Sequence, residues 1–438
     1  MDLNDFSKIF PRSATTDNNG NLVLGGVGVN HLIENFGTPV YVICEETLLK
    51  QCNDFVDAFQ KRHKDTLIAY ASKAYLGPAL AQIISQQGLG LDIVSGGELG
   101  VTKLVEFPPE KIYFHGNNKI YDELYDAVNY GVGRVVLDSE TEFQFLEKIA
   151  SELNVVQDVM IRVNPSVDPH THSHTTTGIL DSKFGVPIET GQATDLLRKV
   201  LASKSLNLIG IHFHLGSPIF ETQPYAEAIK IVIAFASEFK SEGFILKEFS
   251  PGGGFAIPYT RSQSAPSPDD YAEVIVNSLI SSCDENQIPL PRLVVEPGRS
   301  IIGSSGVAIY TVGTIKEVIG IRSFAAVDGG MGDNIRPALY EAEYEAIVAN
   351  RIGEQAKKKY SIVGKFCESG DILVKEAQLP ILNSGDLIAI PVSGAYNASM
   401  ASNYNMNARP PIVSVRDGKF RLWRRRETLS DMISGDIW

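Results

Sequence analysis

Residues 67–98 read LIAYASKAYLGPALAQIISQQGLGLDIVSGGE. An apolar run, LIAYA (67–71), leads through an amphipathic stretch into a second apolar run, GLDIV (90–94). Continuous apolar runs separated by helix-like segments imply parallel strands buried on both faces. The alternation continues through IYFHG (112–116), RVVLD (134–138), VMIRVN (159–164), LIGIHFH (208–214), LKEFSPG (246–252) and LVVEPG (293–298). Eight such units predict a closed (β/α)8 barrel. An open doubly wound sheet is the alternative, and the absence of a GxGxxG turn after the first run counts against it.

The pattern changes after about residue 300. Segments there are short and β-rich with Gly and Asp turns: GVAIYTVGTI, SFAAVDGG, SGDLIAIP and PIVSVRDGKFRLW. The expected division is a barrel over 41–299 and a β-rich domain built from 1–40 and 300–438. Near the N-terminus, NGNLVLGGV reads as a strand expected to join that second domain.

Composition narrows the function classes. The chain has 438 residues, 44% hydrophobic and 21% charged, an ordinary balance for a globular enzyme. Its net charge of -13 repels phosphate backbones and anionic lipid heads, so neither nucleic acid nor a membrane is an expected partner. Cys44, Cys52, Cys283 and Cys367 form no CxxC pair, which argues against structural zinc and fits a reducing compartment. The opening MDLNDFSKIF has neither a basic nor an apolar leader region, so a cytoplasmic protein is expected. His170, His172 and His174 alternate in a polar, Thr-rich stretch; a loop is the preferred reading, and no metal is expected.

Polar residues follow the apolar runs at regular places. Lys73 comes after the first, Asp92 sits in the second with Glu98 shortly after it, and His115 closes the third. His214 closes the sixth, Gly252-Gly253-Gly254 the seventh, and Glu296-Pro297-Gly298-Arg299 the eighth. In a barrel these positions ring one mouth, where active sites sit. A lysine desolvated at a strand end is a nucleophile for carbonyl carbon, though a lysine paired with a carboxylate is the plainer reading. A triple glycine exposes backbone N–H groups to a phosphate, or simply makes a tight turn. A buried Glu296 needs a cationic partner, and a protonated pyridine nitrogen would serve. Lysine, glycine cradle and buried carboxylate together describe the anchor points of pyridoxal 5'-phosphate. Either His212 or His214 could face that group, since both point to one side of a strand.

Further motifs carry a family resemblance. They are YASKA around Lys73, DIVSGGEL (92–99), SKFG (182–185), HFHLGS (212–217), GGGF (252–255) and EPGRSIIG (296–303). VDGGMGDNIRPALY (327–340), CESGDIL (367–373) and GAYNASMASNYN (394–405) complete the series in order along nearly the whole chain. With these the chain resembles the diaminopimelate decarboxylases, within the alanine-racemase-like, fold type III pyridoxal enzymes.

The resemblance implies roles. Lys73 would carry the cofactor, and Glu296 would pair with its ring nitrogen. Gly253, Gly254 and Ser217 would hold the phosphate, and His214 would stack on the ring. Pro297, Gly298, Arg299 and Tyr396 would complete the cofactor site. Arg299, Arg336, Tyr340 and Tyr396 would bind substrate, Glu368 its distal amine, and Cys367 would donate a proton. The Cys367–Glu368 loop of one subunit would enter its partner's site, which implies a homodimer with shared active sites. The implied reaction is decarboxylation of meso-diaminopimelate to L-lysine, the last step of lysine biosynthesis. An ornithine, arginine or carboxynorspermidine decarboxylase of the same fold is the nearest rival, but Arg336 favours a dicarboxylic substrate. A racemase and a silent cofactor-binding protein are more distant rivals. Three departures from the family pattern stand out: Gly332 for the usual Asn, Asn397-Ala398 for Gly-Phe, and Ala256 for Gly.

Overall fold

The structure, a computed structural model, describes residues 3–168 and 180–437; the three alternating histidines lie outside them. The chain divides into two compact units. One comprises 52–256 and 265–298, the other 1–51, 257–264 and 299–438.

The first unit is the expected barrel. We number strands along the chain: β1 is Val40–Cys44, and the barrel runs β2 (Thr66–Ala71), β3 (Gly90–Ile93), β4 (Ile112–Phe114), β5 (Arg134–Leu137), β6 (Gln157–Asn164), β7 (Leu206–His212), β8 (Glu248–Gly252) and β9 (Arg292–Val295). Neighbours pair in parallel, and β9 closes on β2 with Leu293 opposite Thr66. The barrel interior holds Ala69, Tyr113, Val136, Met160, Ile209 and Val294, each buried. Burying an aliphatic side chain of this size contributes ~1.5–3 kcal/mol, so these inward positions fix the register of the strands.

Helix starts are set by local chemistry. Ser95 caps Gly96–Leu104 by accepting the Glu98 N–H, and Ser267 caps Pro268–Asn286 in a reciprocal capping box with Asp270. β7 ends at His212, so His214 lies just past the strand rather than closing it.

The second unit is the β-rich one. Its long strand β10 (Gly306–Val318) pairs antiparallel with β11 (Arg322–Val327), with Leu387–Pro391 and with β1. Beyond β1 lies Ile412–Arg416, which turns through Asp417-Gly418, both at positive φ, into Lys419–Arg424. A boundary at residue 41 would assign β1 to the barrel; its ladder partners place it in the β-rich sheet instead. The early strand lies in this unit as expected, though outside its main sheet. Leu22–Leu24 forms a small sheet of its own with Thr15–Thr16 and Val27–Gly28, and reaches the rest of the unit through the Leu22 N–H to the Ala349 carbonyl. Among the described residues, no helix is long and apolar enough to cross a membrane.

Candidate active site

Within the barrel unit, the polar strand ends converge as expected. Lys73 sits in a short turn, Ser72–Ala74, directly after β2. The turn is tied to the DIVSGGEL motif. Glu98 Oε2 accepts the Ser72 hydroxyl at 2.7 Å and the Val94 N–H at 2.7 Å. Burial raises the Glu98 pKa, opposed by these hydrogen bonds and by the Lys73 charge. Lys73 itself is exposed, flanked by buried Ser72 and Ala74, where a desolvated lysine was expected. Its charge is felt by Asp92, Glu98, His212 and His214, which places it among them.

Glu296 is the centre of a buried cluster. It is 4% exposed, its Oε1 accepts the Ser250 hydroxyl at 2.8 Å, and its Oε2 lies 3.1 Å from His212 Nε2. His115 Nε2 stands 3.4 Å from Oε1 and 3.9 Å from Asp92 Oδ1. Burial works to depress both imidazoles and the Glu296 charge works to raise them, and an ionised Glu296 takes its hydrogen bond from the His212 Nε2–H. Burial acts to raise Glu296. His212, His115 and the two hydrogen bonds outweigh it and hold the carboxyl well below the usual range. The result is an ionised carboxylate at the bottom of the site. His115, His212 and Glu296 also offer ligand atoms within 4.8 Å of one another, a spacing a metal ion would accept.

His212 and His214 have different partners. His212 serves Glu296, whereas His214 Nδ1 accepts the Gly253 N–H at 3.2 Å. Burial first, then Lys73 and Arg162, push His214 well below its ordinary pKa, so it is neutral.

The triple glycine is required by close packing. A Cβ at Gly253 would stand 2.1 Å from the Glu296 carbonyl oxygen, and one at Gly254 would stand 2.4 Å from the Gly216 carbonyl oxygen. Gly252 and Gly254 are at φ +73 and +105, where other residues are strained. Ser217, half-buried, follows Gly216 in the same crossing, and Gly298 abuts Ala71 at the end of β2. Pro297 is buried, its carbonyl accepting the Ala71 N–H at 3.2 Å. These residues fit pyridoxal phosphate: an ionised carboxylate for a protonated ring nitrogen, a lysine on the same rim, and a side-chain-free crossing for a phosphate.

Arg162 was not singled out in the sequence. It is 8% exposed, 3.9 Å from Asp138 Oδ2, and lies over the Phe184 ring at 4.6 Å. A charged residue inside the apolar run VMIRVN was the available signal.

The β-rich unit holds a second set. Arg299 and Arg336 are both buried. Arg299 Nη1 donates to the Tyr259 hydroxyl at 2.6 Å and its guanidinium lies 4.7 Å from the Tyr396 ring centroid. Arg336 donates to the Tyr344 hydroxyl and lies 4.5 Å from the Tyr259 centroid. Tyr396 is held at φ +62, a strained position for a tyrosine. Tyr340, half-buried, ends the short helix Arg336–Tyr340. Cys367 and Glu368 are exposed. Their hydrogen bonds go to Asn405, which accepts the Cys367 N–H at 2.9 Å, and Tyr404, whose hydroxyl donates to Glu368 at 2.7 Å. Tyr259 and Tyr344 were missed, since loop tyrosines carry no periodic signal.

Comparisons with known proteins identify the family. Residues 45–303 match the family described as pyridoxal-dependent decarboxylase, pyridoxal binding domain. The diaminopimelate decarboxylase of Bacillus subtilis is 42% identical over 419 residues, covering 95% of each chain. That of Corynebacterium efficiens is 40% identical over 98% of this chain and 94% of its own. The crystal structure of diaminopimelate decarboxylase from M. jannaschii in complex with L-lysine superposes with a TM-score of 0.91 at 34% identity, covering 97% of this chain and 98% of that one. The chain belongs to the diaminopimelate decarboxylase family.

Proposed function

We propose that this protein removes carbon dioxide from meso-diaminopimelate to give L-lysine, with pyridoxal phosphate carried on Lys73, and so closes a route to lysine. The observation that carries the substrate is Arg336. It is buried, its partners are phenols, and among the described residues no carboxylate pairs with it. A buried guanidinium without a counter-charge is costly, and a ligand carboxylate supplies one.

Pyridoxal phosphate supplies the electron sink for the pair left when carbon dioxide departs. Glu296, kept ionised by His212 and Ser250, presents a negative charge to the ring nitrogen. Glu98 fixes Ser72 and with it the turn that bears Lys73. Neutral His214 offers its ring face without adding positive charge beside Lys73. Gly253, Gly254, Ser217, Pro297, Gly298, Arg299 and Tyr396 complete the cofactor's surroundings. Arg299, Arg336, Tyr340 and Tyr396 hold the substrate carboxylate that stays, and Glu368 its distal amine. The Cys367 thiol delivers the proton that replaces the lost carboxylate.

The working form is a homodimer in the cytoplasm. The exposure of Cys367 and Glu368 supports this, since a proton donor and an amine-binding carboxylate need cover that one subunit does not give them. The barrel unit, 52–256 and 265–298, and the β-rich unit, 1–51, 257–264 and 299–438, would then jointly complete each site.

Carbon dioxide release from purified protein with added cofactor tests the reading, comparing meso-diaminopimelate, L-lysine, L-ornithine and L-arginine, with Lys73→Ala as control. Release from diaminopimelate alone, lost in the variant, is expected. Release from ornithine or arginine instead would overturn the substrate while leaving the cofactor assignment intact.

A further inference from the structure

Two buried guanidiniums in the β-rich unit share one phenol. Tyr259 is 6% exposed and lies in the segment 257–264. Its oxygen accepts from Arg299 Nη1 at 2.6 Å, while Arg336 lies over its ring face. Tyr344 packs edge-on against it, centroids 5.3 Å apart at 85°, and takes the Arg336 hydrogen bond. Tyr344 in turn donates to Asn397 Oδ1 at 3.3 Å, so one of the family departures braces this group.

A carboxylate at position 259 would neutralise the arginines and compete with any anionic ligand. A phenol does neither. It gives Arg299 an acceptor and Arg336 an electron-rich face, yet leaves the pair cationic. Burial would raise the Tyr259 pKa, but Arg299 and Arg336 outweigh it and hold the phenol below its ordinary value, so both cations bear on this one group.

We propose that Tyr259 is a specificity-determining positioning residue. By bridging Arg299 and Arg336 it aims both guanidiniums at the ligand carboxylate that survives the reaction. The inference rests on the decarboxylase reading above and deepens it.

The test uses the holoenzyme and two inhibitors that differ by one carboxylate, L-lysine and cadaverine. The readout is the ratio of their inhibition constants, alongside KM and kcat for meso-diaminopimelate. In wild type, L-lysine is expected to bind the tighter. Tyr259→Phe keeps the ring and removes the oxygen. It is expected to shrink the preference about tenfold and to raise KM more than it lowers kcat. Tyr259→His, which keeps a ring acceptor, restores part of the preference relative to Tyr259→Leu, and this comparison decides the matter if Tyr259→Phe does not fold. A preference within about twofold of wild type in Tyr259→Phe, or equal weakening of both inhibitors, overturns the proposal. A wild-type enzyme that releases carbon dioxide from diaminopimelate but does not favour L-lysine overturns it as well. A wild type with neither property overturns the functional reading itself, and the two failures are thereby distinguished.

Discussion

His212 Nε2 stands 3.1 Å from Glu296 Oε2, an imidazole donating to an ionised carboxylate, both almost wholly buried. The carboxylate's low pKa depends on that donor, because burial alone would push it up. Replacing His212 by Phe removes the donor and keeps a ring. A hydrogen bond to a charged group contributes ~1.5–3 kcal/mol, so cofactor affinity is expected to fall about ten- to a hundredfold. Equilibrium dialysis of the variant against pyridoxal phosphate checks this. Unchanged affinity would mean that Ser250 alone suffices to hold the charge.

The glycine crossing gives a steric prediction. Gly253→Ala would place a Cβ 2.1 Å from the Glu296 carbonyl oxygen, and the obstacle is backbone rather than a yielding side-chain tip. Strain of this kind costs ~1–3 kcal/mol, and the strand end carrying Glu296 must shift to relieve it. Loss of both thermal stability and cofactor retention is expected. A variant that loses only the cofactor would argue for a direct phosphate contact at Gly253 instead.

Much of this was legible because barrels write their sites at strand ends. Lys73, Glu296 and the glycines follow continuous apolar runs, so periodicity located them before any geometry was known. The pairing of His212 with Glu296 was not legible. Residues two apart on a strand share a face, and only the strand's end at His212 separates the two histidines' tasks. Tyr259 and Tyr344 come from irregular segments, where chain order carries no information about side-chain neighbours. β1 was misplaced because the run VYVIC reads the same in a parallel barrel and in the middle of a β-rich sheet.

Asp333 sets a pH dependence. It accepts the Tyr310 hydroxyl at 2.6 Å and the Gly330 N–H at 3.0 Å, and burial, only partly offset by these bonds, raises its pKa from 3.8 to about 7. Between those values the folded chain keeps a proton that the unfolded chain has released. Asp333 therefore stabilises the fold less as pH rises through that window. Asp333→Asn, which cannot titrate, is expected to flatten the fall in unfolding temperature over the same range. Parallel curves for the two proteins would show that Asp333 ionises normally.

The departure at Gly332 has a steric partner. A Cβ there would stand 2.3 Å from Phe366 Cζ, so the ring occupies the space that the family's usual Asn would need. Phe366 is 8% exposed, stacks on Tyr404 at 6.1 Å, and gives its N–H to Asp371 Oδ2 at 2.9 Å. It thus pins the chain immediately before Cys367, and Tyr404 reaches on to Glu368. Gly332→Asn would drive the ring out. Overpacking costs ~1–3 kcal/mol, but here it falls on a loop anchor rather than on the barrel. Turnover is expected to drop about tenfold, with cofactor affinity unchanged. Adding Phe366→Ala restores the room and should recover part of the loss, an interaction that a double-mutant cycle measures directly. Additive effects of the two changes would mean that glycine and phenylalanine tune the loop independently.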